Sequence, residues 1–221
     1  MRPSPRAPHV FALDLLELAV GYGLILIVIW TPNPAQRILY WTAFAWIAIT
    51  AILRRKQIDS HGLGLRGLLP SLWIVAVAAV LCLAAIALAG HLHTLHRLYG
   101  PLPILTHLWG YALWALMQQF ILQIYVLTRF LRLGLRPPAA IALSAILFAL
   151  AHIPNPVLLV VTPLWGAISC WLFLRYRNLY PLALAHGILG MTLAVTIPNS
   201  INRHMRVGLG YVEYPTHAPH P

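Results

Sequence analysis

Trp114 to Gln123 reads WALMQQFILQ, and it sets Gln118, Gln119 and Gln123 inside a run that otherwise has the character of a lipid-spanning helix. A primary amide is costly in hydrocarbon unless it finds hydrogen-bond partners, and in a membrane those partners come from neighbouring helices. The stretch therefore predicts helices gathered around a polar interior. The composition points the same way, with apolar types at 60% and charged types at 9%, far from the balance of a soluble globular domain. The expected fold is all-α, a polytopic membrane helical bundle.

The formal net charge is +11, and Asp14, Glu17, Asp59 and Glu213 are the only carboxylates. A basic excess can signal nucleic acid, but these cations sit in short loops between apolar runs, as membrane topology demands. Nucleic acid is set aside as a partner in favour of the lipid bilayer. Cys82 and Cys170 both fall inside apolar runs and imply no disulfide framework. The first apolar run carries Asp14 and Glu17 near its start and ends in Trp30-Thr-Pro-Asn-Pro without a small-residue cleavage pattern, so it is expected to be a retained span.

A ruler of about twenty apolar residues per crossing gives about seven transmembrane helices. They run roughly from Phe11 to Trp30, Ile38 to Leu53, Leu68 to Ala89, Pro103 to Leu127, Pro138 to Ile153, Val157 to Leu174 and Leu179 to Ile197. Pro154-Asn155-Pro156 ends the fifth abruptly, because proline cannot donate a backbone hydrogen bond and disfavours helix in the residue before it. With alternating loops, one side receives Arg2, Arg6, Arg54, Arg55, Lys56, Arg66, Arg129, Arg132, Arg136, Arg175 and Arg177, and the other receives Arg37, Arg97, Arg203 and Arg206. Eleven cations against four place the N-terminus in the cytoplasm and the C-terminus outside a cell membrane. The expected organisation is a disordered N-terminal arm over residues 1–10, one transmembrane helical domain over 11–197 and an extracytoplasmic tail over 198–221. No internal repeat is visible.

Polar groups at membrane depth fall into four places: Gln118/Gln119/Gln123, Ser144 with His152, His186, and Asp14/Glu17. At about 1.5 Å per residue, Gln118 and Gln119 lie roughly 15 Å from the cytoplasmic end, His152 roughly 20 Å and His186 roughly 10 Å, a band that modest tilt closes. Gln119 and Gln123 are four apart and share a helix face, as do Phe148 and His152. Taken singly, each is equally well explained as an interhelical hydrogen bond. His91, His93 and His96, with His107 nearby, crowd one end of the third and fourth spans and are better explained as an interfacial loop than as a metal centre, since no cysteine or carboxylate accompanies them.

QQFILQ, then FALAH (Phe148 to His152), then LALAHGILG (Leu182 to Gly190) follow the order and approximate spacing of three motifs, E-E-x-x-x-R, F-x-x-x-H and H-x-x-x-N/D. The chain over residues 113–192 thus resembles the CPBP (Abi) family, which is named for CAAX-type prenyl endopeptidases and bacteriocin-processing proteins and is made of polytopic membrane proteins. The middle motif is intact and His186 opens the third. Gln118 and Gln119 stand where the family has glutamates, Gln123 where it has arginine, and Gly190 where it has Asn or Asp. Every ionisable group of the first motif is exchanged for a neutral amide.

The resemblance implies a glutamate that activates water for attack on a peptide carbonyl, and histidines that bind a metal such as zinc or stabilise the oxyanion. The motif positions Gln118, Gln119, Gln123, Phe148, His152 and His186 are accordingly the candidate catalytic residues, with His152 and His186 the candidate metal ligands. An amide is not a base near neutral pH and is a poor ligand for a borderline cation, so the usual hydrolysis is expected to fail and the protein to be a pseudoenzyme or an atypical peptidase. Glu17, about one turn inside the first span, is the carboxylate that would have to stand in, although a glutamate there more commonly reaches the interface. The alternative is a non-enzymatic membrane protein that holds a lipidated peptide, an isoprenoid or a partner helix. A small transporter fits less well, because paired halves with matching broken helices are not visible.

Overall fold

The computed structural model describes residues 8–54, 62–96 and 104–214. Residues 1–7 of the expected arm, Arg55, Lys56, Asp59, Arg97 and the tail after Tyr214 lie outside the described residues. The described chain is helical and contains no strand. Its long elements are α1 (Pro8–Trp30), α2 (Ala35–Leu53), α3 (Leu68–Ser71) running into α4 (Trp73–His91), and α5 (Ile104–Gln119). A π-helical segment (Phe120–Leu127) continues α5 into α6 (Thr128–Arg132), followed by α7 (Pro137–Leu150), α8 (Pro156–Tyr176) and α9 (Tyr180–Thr196). Short helices α10 (Asn199–Asn202) and α11 (Gly208–Val212) close the described chain.

These elements fall on the seven segments expected from hydropathy, but their lengths differ. Among the described residues five helices are long and apolar enough to cross a bilayer: 10–30, 35–53, 68–91, 108–132 and 156–176. Helix α7, at 14 residues, reaches only about 21 Å, short of a hydrocarbon core of about 30 Å. Helix α9 and the segment 199–205 meet at a bend of 114°. The count of full-length crossings is therefore lower than the hydropathy ruler suggests, because proline punctuation shortens the helices nearest the polar centre.

Local chemistry explains the breaks. Arg136 is extended (ψ 146°) and Pro137 and Pro138 open α7, where a missing N–H costs nothing. Asn155 caps α8 by accepting hydrogen bonds from the Val157 and Leu158 amides at 3.1 Å each, with Pro156 in the first helical position. The same side chain donates to the carbonyls of Asn202 (2.8 Å) and Arg206 (3.1 Å), so the cap also holds the chain beyond α9. That chain returns at Gly208, whose amide donates to the Ile153 carbonyl at 2.8 Å. Gly208 has φ +54°, and a Cβ there would strike the carbonyl oxygen of Ile29, which leaves glycine as the residue that fits. Residues 199–212 thus form a strap against the α7–α8 turn and α1.

Two packed groups build the bundle. Helices α4, α5, α8 and α9 enclose a core that includes Leu122, Cys170, Phe173, Leu179 and Leu182, all buried. Helices α1 and α2 pack together against the π segment through Leu18, Ile47, Tyr125 and Val126. An ion cluster ties these groups at one end. Glu17 pairs with Arg54 at 2.9 Å and with Arg129 at 3.1 Å, and Asp14 pairs with Arg132 at 2.8 Å. Arg129 is fully buried, stacks 3.6 Å over the Tyr125 ring and donates to the Tyr125 carbonyl. The Tyr125 hydroxyl and Trp46 Nε1 both donate to the Glu17 carbonyl.

Candidate functional site

The π segment begins directly after Gln119, and its wider turn changes the register of everything that follows. Gln119 and Gln123 are both fully buried, and Gln123 Nε2 donates to Gln119 Oε1 at 3.1 Å and to Ser169 Oγ on α8 at 3.0 Å. Gln119 Nε2 in turn donates to Nδ1 of His186 on α9 at 3.1 Å. Ser169 completes the chain by donating to the Gly166 carbonyl at 3.2 Å. Three helices are thereby joined by neutral hydrogen bonds. Gln123 Oε1 is buried without a partner, so the network is not saturated.

His152 lies just past α7, with Nδ1 2.6 Å from the Phe148 carbonyl. A carbonyl only accepts, so in the neutral ring Nδ1 carries the proton and Nε2 keeps its lone pair. His186 has the opposite arrangement: its Nδ1 accepts from Gln119, which leaves the ring proton on Nε2. Phe148 stands edge-on to both rings, 4.8 Å from His152 and 5.9 Å from His186 between centroids. Trp165 lies 6.2 Å from His186 on another side.

Two cavities meet at these groups. The larger, about 610 Å³, lies between α4, α5, α8 and α9 and is lined by His152, His186, Gln118 and Tyr111 together with an apolar wall. The smaller, about 160 Å³, lies between α1, α2, α5 and α7, and Ser144 faces it. Gln118, Trp114, His152 and Val207 line both. Gln118 has no hydrogen-bond partner among the described residues, so its amide is available to a ligand.

The fold brings together Gln118, Gln119, Gln123, Phe148, His152 and His186, the six motif positions singled out in the sequence. It does not bring Glu17 to them, because that carboxylate is committed to Arg54 and Arg129 and lines neither cavity. Three contributors had not been singled out. Ser169 anchors Gln123, and Asn155 pins the strap whose Val207 and Met205 reach the larger cavity. Tyr111 explains Gly190, because a Cβ at 190 would collide with the Tyr111 hydroxyl. The tyrosine occupies the space that a side chain at position 190 would need.

The donor set also bears on a metal. Among the described residues no group of three or more His, Cys, Asp or Glu is placed to hold an ion. His152 Nε2 offers a lone pair, but His186 as hydrogen-bonded presents N–H, and zinc takes deprotonated nitrogen, sulfur or carboxylate ligands, usually four of them. The residues present do not fit a resident zinc, and no chemical step is routed through one.

Helices of this length and hydropathy, enclosing buried amides and imidazoles, define a multi-pass α-helical membrane protein with a polar site inside the bundle. Its family likeness is with the type II CAAX prenyl endopeptidases: residues 100–192 match the family model described as "Type II CAAX prenyl endopeptidase Rce1-like", and the resemblance drawn from the motifs holds over that part of the chain. No curated protein and no solved structure matches the chain.

Proposed function

We propose that this protein uses the architecture of a CAAX-type membrane endopeptidase to bind a lipidated or membrane-embedded peptide without hydrolysing it. One observation carries the reading. Gln118 and Gln119, which by the motif resemblance stand at the positions of the family's glutamates, are neutral amides: Gln118 lines both cavities beside His152, Gln119 bonds His186 from within the core, and no described carboxylate lines either cavity. An amide takes up no proton near neutral pH, so the activation of water that the family resemblance assigns to a glutamate is not available from Gln118 or Gln119. The amides and imidazoles remain able to hydrogen-bond a peptide, and the apolar cavity to hold a lipid chain. Hydrolytic loss is thus compatible with retained recognition.

We further infer that the N-terminus is cytoplasmic and that the strap lies on the far side, since the cations segregate that way about the helices. Residues 11–197 act as the membrane domain. Reconstituted protein incubated with a prenylated peptide should bind it without releasing a cleaved product, as followed by mass spectrometry. Cleavage that disappears in His152→Ala would overturn the non-hydrolytic reading. Labelling of cysteines placed at Arg54 and Arg203 should occur from opposite faces of the vesicle, and labelling from one face would refute the topology.

A further inference from the structure

The open hydrogen-bonding atoms of the larger cavity are concentrated at one place. The Gln118 amide and the Tyr111 hydroxyl have no partner among the described residues, and Nε2 of His152 and of His186 are not engaged by protein groups. Trp165 Nε1 is also buried without a partner, the Thr162 and Thr192 hydroxyls donate to their own helix backbones, and the remaining wall is apolar: Trp73, Val77 and Leu81 on α4 face Leu164, Ile168 and Leu172 on α8. Over the twelve helical steps from Trp73 to Ala85 this wall extends about 18 Å along α4. A volume of about 610 Å³ falls within the range of about 300–1,000 Å³ usual for small-molecule sites.

The polar end is uncharged and two-sided. It presents donors, the Gln118 NH2 and the His186 Nε2–H, acceptors, the Gln118 Oε1 and the His152 Nε2 lone pair, and in the Tyr111 hydroxyl a group that does both. The fixed charges of this part of the fold, Glu17 with Arg129 and Asp14 with Arg132, are paired with each other and line neither cavity. A carboxylate head accepts only, so it would set an anion against the His152 lone pair with no cation nearby. An ammonium head donates only, and it would meet the His186 N–H. Either ion would also leave water for an apolar site without compensation. A hydroxyl both donates and accepts at no cost in charge.

We propose that this cavity binds a single-chain lipid with an uncharged hydroxyl head, the chain lying between α4 and α8 and the head among Gln118, Tyr111, His152 and His186. The inference rests on the binding reading given above and specifies the head group it selects. The test uses the full chain in lipid nanodiscs, with a bromine-labelled hexadecanol that quenches Trp114 and Trp165 when bound. Displacement is then measured with hexadecanol, hexadecanoate and hexadecylamine, which share one chain and differ in the head, at a pH where the acid and the amine are ionised.

Hexadecanol should displace the probe at least about tenfold more effectively than either charged analogue. Tyr111→Phe, which removes one oxygen and keeps the ring, should weaken hexadecanol about fivefold. Gln118→Glu should turn the preference toward hexadecylamine, a reversal that damage to the fold would not produce. Equal displacement by all three heads, or an unchanged ranking in Gln118→Glu, would overturn the proposal while leaving the non-hydrolytic reading intact. Cleavage of a prenylated peptide by the same preparation would sink that reading without altering the ranking of heads.

Discussion

Placing asparagine at position 190 is the sharpest perturbation of the site, because the structure leaves no room there for a side chain. An ideal Cβ on Gly190 would lie 2.7 Å from Tyr111 Cζ and 2.8 Å from Cε1, besides colliding with the hydroxyl, where ordinary contact is 3.4–4 Å. The Tyr111 ring has to retreat by about 1 Å or rotate into the larger cavity, and forcing extra atoms into a packed site costs about 1–3 kcal/mol. Taking about 2 kcal/mol for Gly190→Asn, a domain of this size loses roughly 4–8 °C in thermal midpoint. Tyr111→Ala alone forfeits a half-buried ring, also worth about 2 kcal/mol. The double variant removes the collision, so it should be about 2 kcal/mol more stable than the sum of the singles predicts. Unfolding of all four proteins in one detergent supplies the cycle. Effects that add to within about 0.5 kcal/mol would show that Tyr111 and Gly190 do not share the space, and that the glycine has another origin.

The ion cluster should respond unequally to loss of its members. Glu17→Gln leaves the fully buried Arg129 facing only the Tyr125 carbonyl and ring and should cost about 3 kcal/mol. Arg54→Gln removes a partner whose side chain is 16% exposed and should cost about 1 kcal/mol or less; equal losses in chemical denaturation would contradict this ranking. At the site, joint replacement Gln118→Glu and Gln119→Glu places two carboxylates beside His152 and His186, a four-ligand set suited to zinc. Calorimetric titration should show one tightly bound zinc in that variant and none at the site in the unaltered protein, and zinc binding of equal strength in both would refute the argument from the donor set.

The helical bundle and its segmentation were legible in the sequence because hydropathy alone specifies where a chain can cross lipid. Lengths were less so: α7 reads as a short span, but nothing in its composition reveals that its end bears His152 over a turn roofed by the strap. The gathering of Gln119, Gln123 and His186 followed from motif order, yet the partners that orient them did not. Ser169 is one serine among apolar residues of α8, and a hydroxyl in a membrane helix commonly bonds its own backbone, as Ser144 does to the Ala140 carbonyl at 2.7 Å. Tyr111 is invisible for a related reason. Its role is defined by an atom missing elsewhere, at Gly190, and the two positions are separated by most of the matched segment. Glu17 was a candidate for the cavity on depth alone, and its true partners, Arg54 and Arg129, come from α2's end and α6, whose approach to α1 no local pattern discloses.

The placement of charge gives the arrangement its physical logic. Arg129, Arg132, Asp14 and Glu17 all lie at one end of the bundle, where each ion has a counter-ion and the long arginines can pack their stems on apolar rings. Among the described residues the interior between α4, α5, α8 and α9 holds amides, hydroxyls and imidazoles and no carboxylate or arginine. An arginine placed at Gln123 would need a counter-ion beside Ser169 and Cys170, in a part of the core where the described residues supply neutral contacts. A single charge placed among them would stand unpaired in a medium where an unpaired ion is costly. The three glutamines together avoid that cost. Their joint neutrality lets the helices pack around a polar site without a buried unpaired ion.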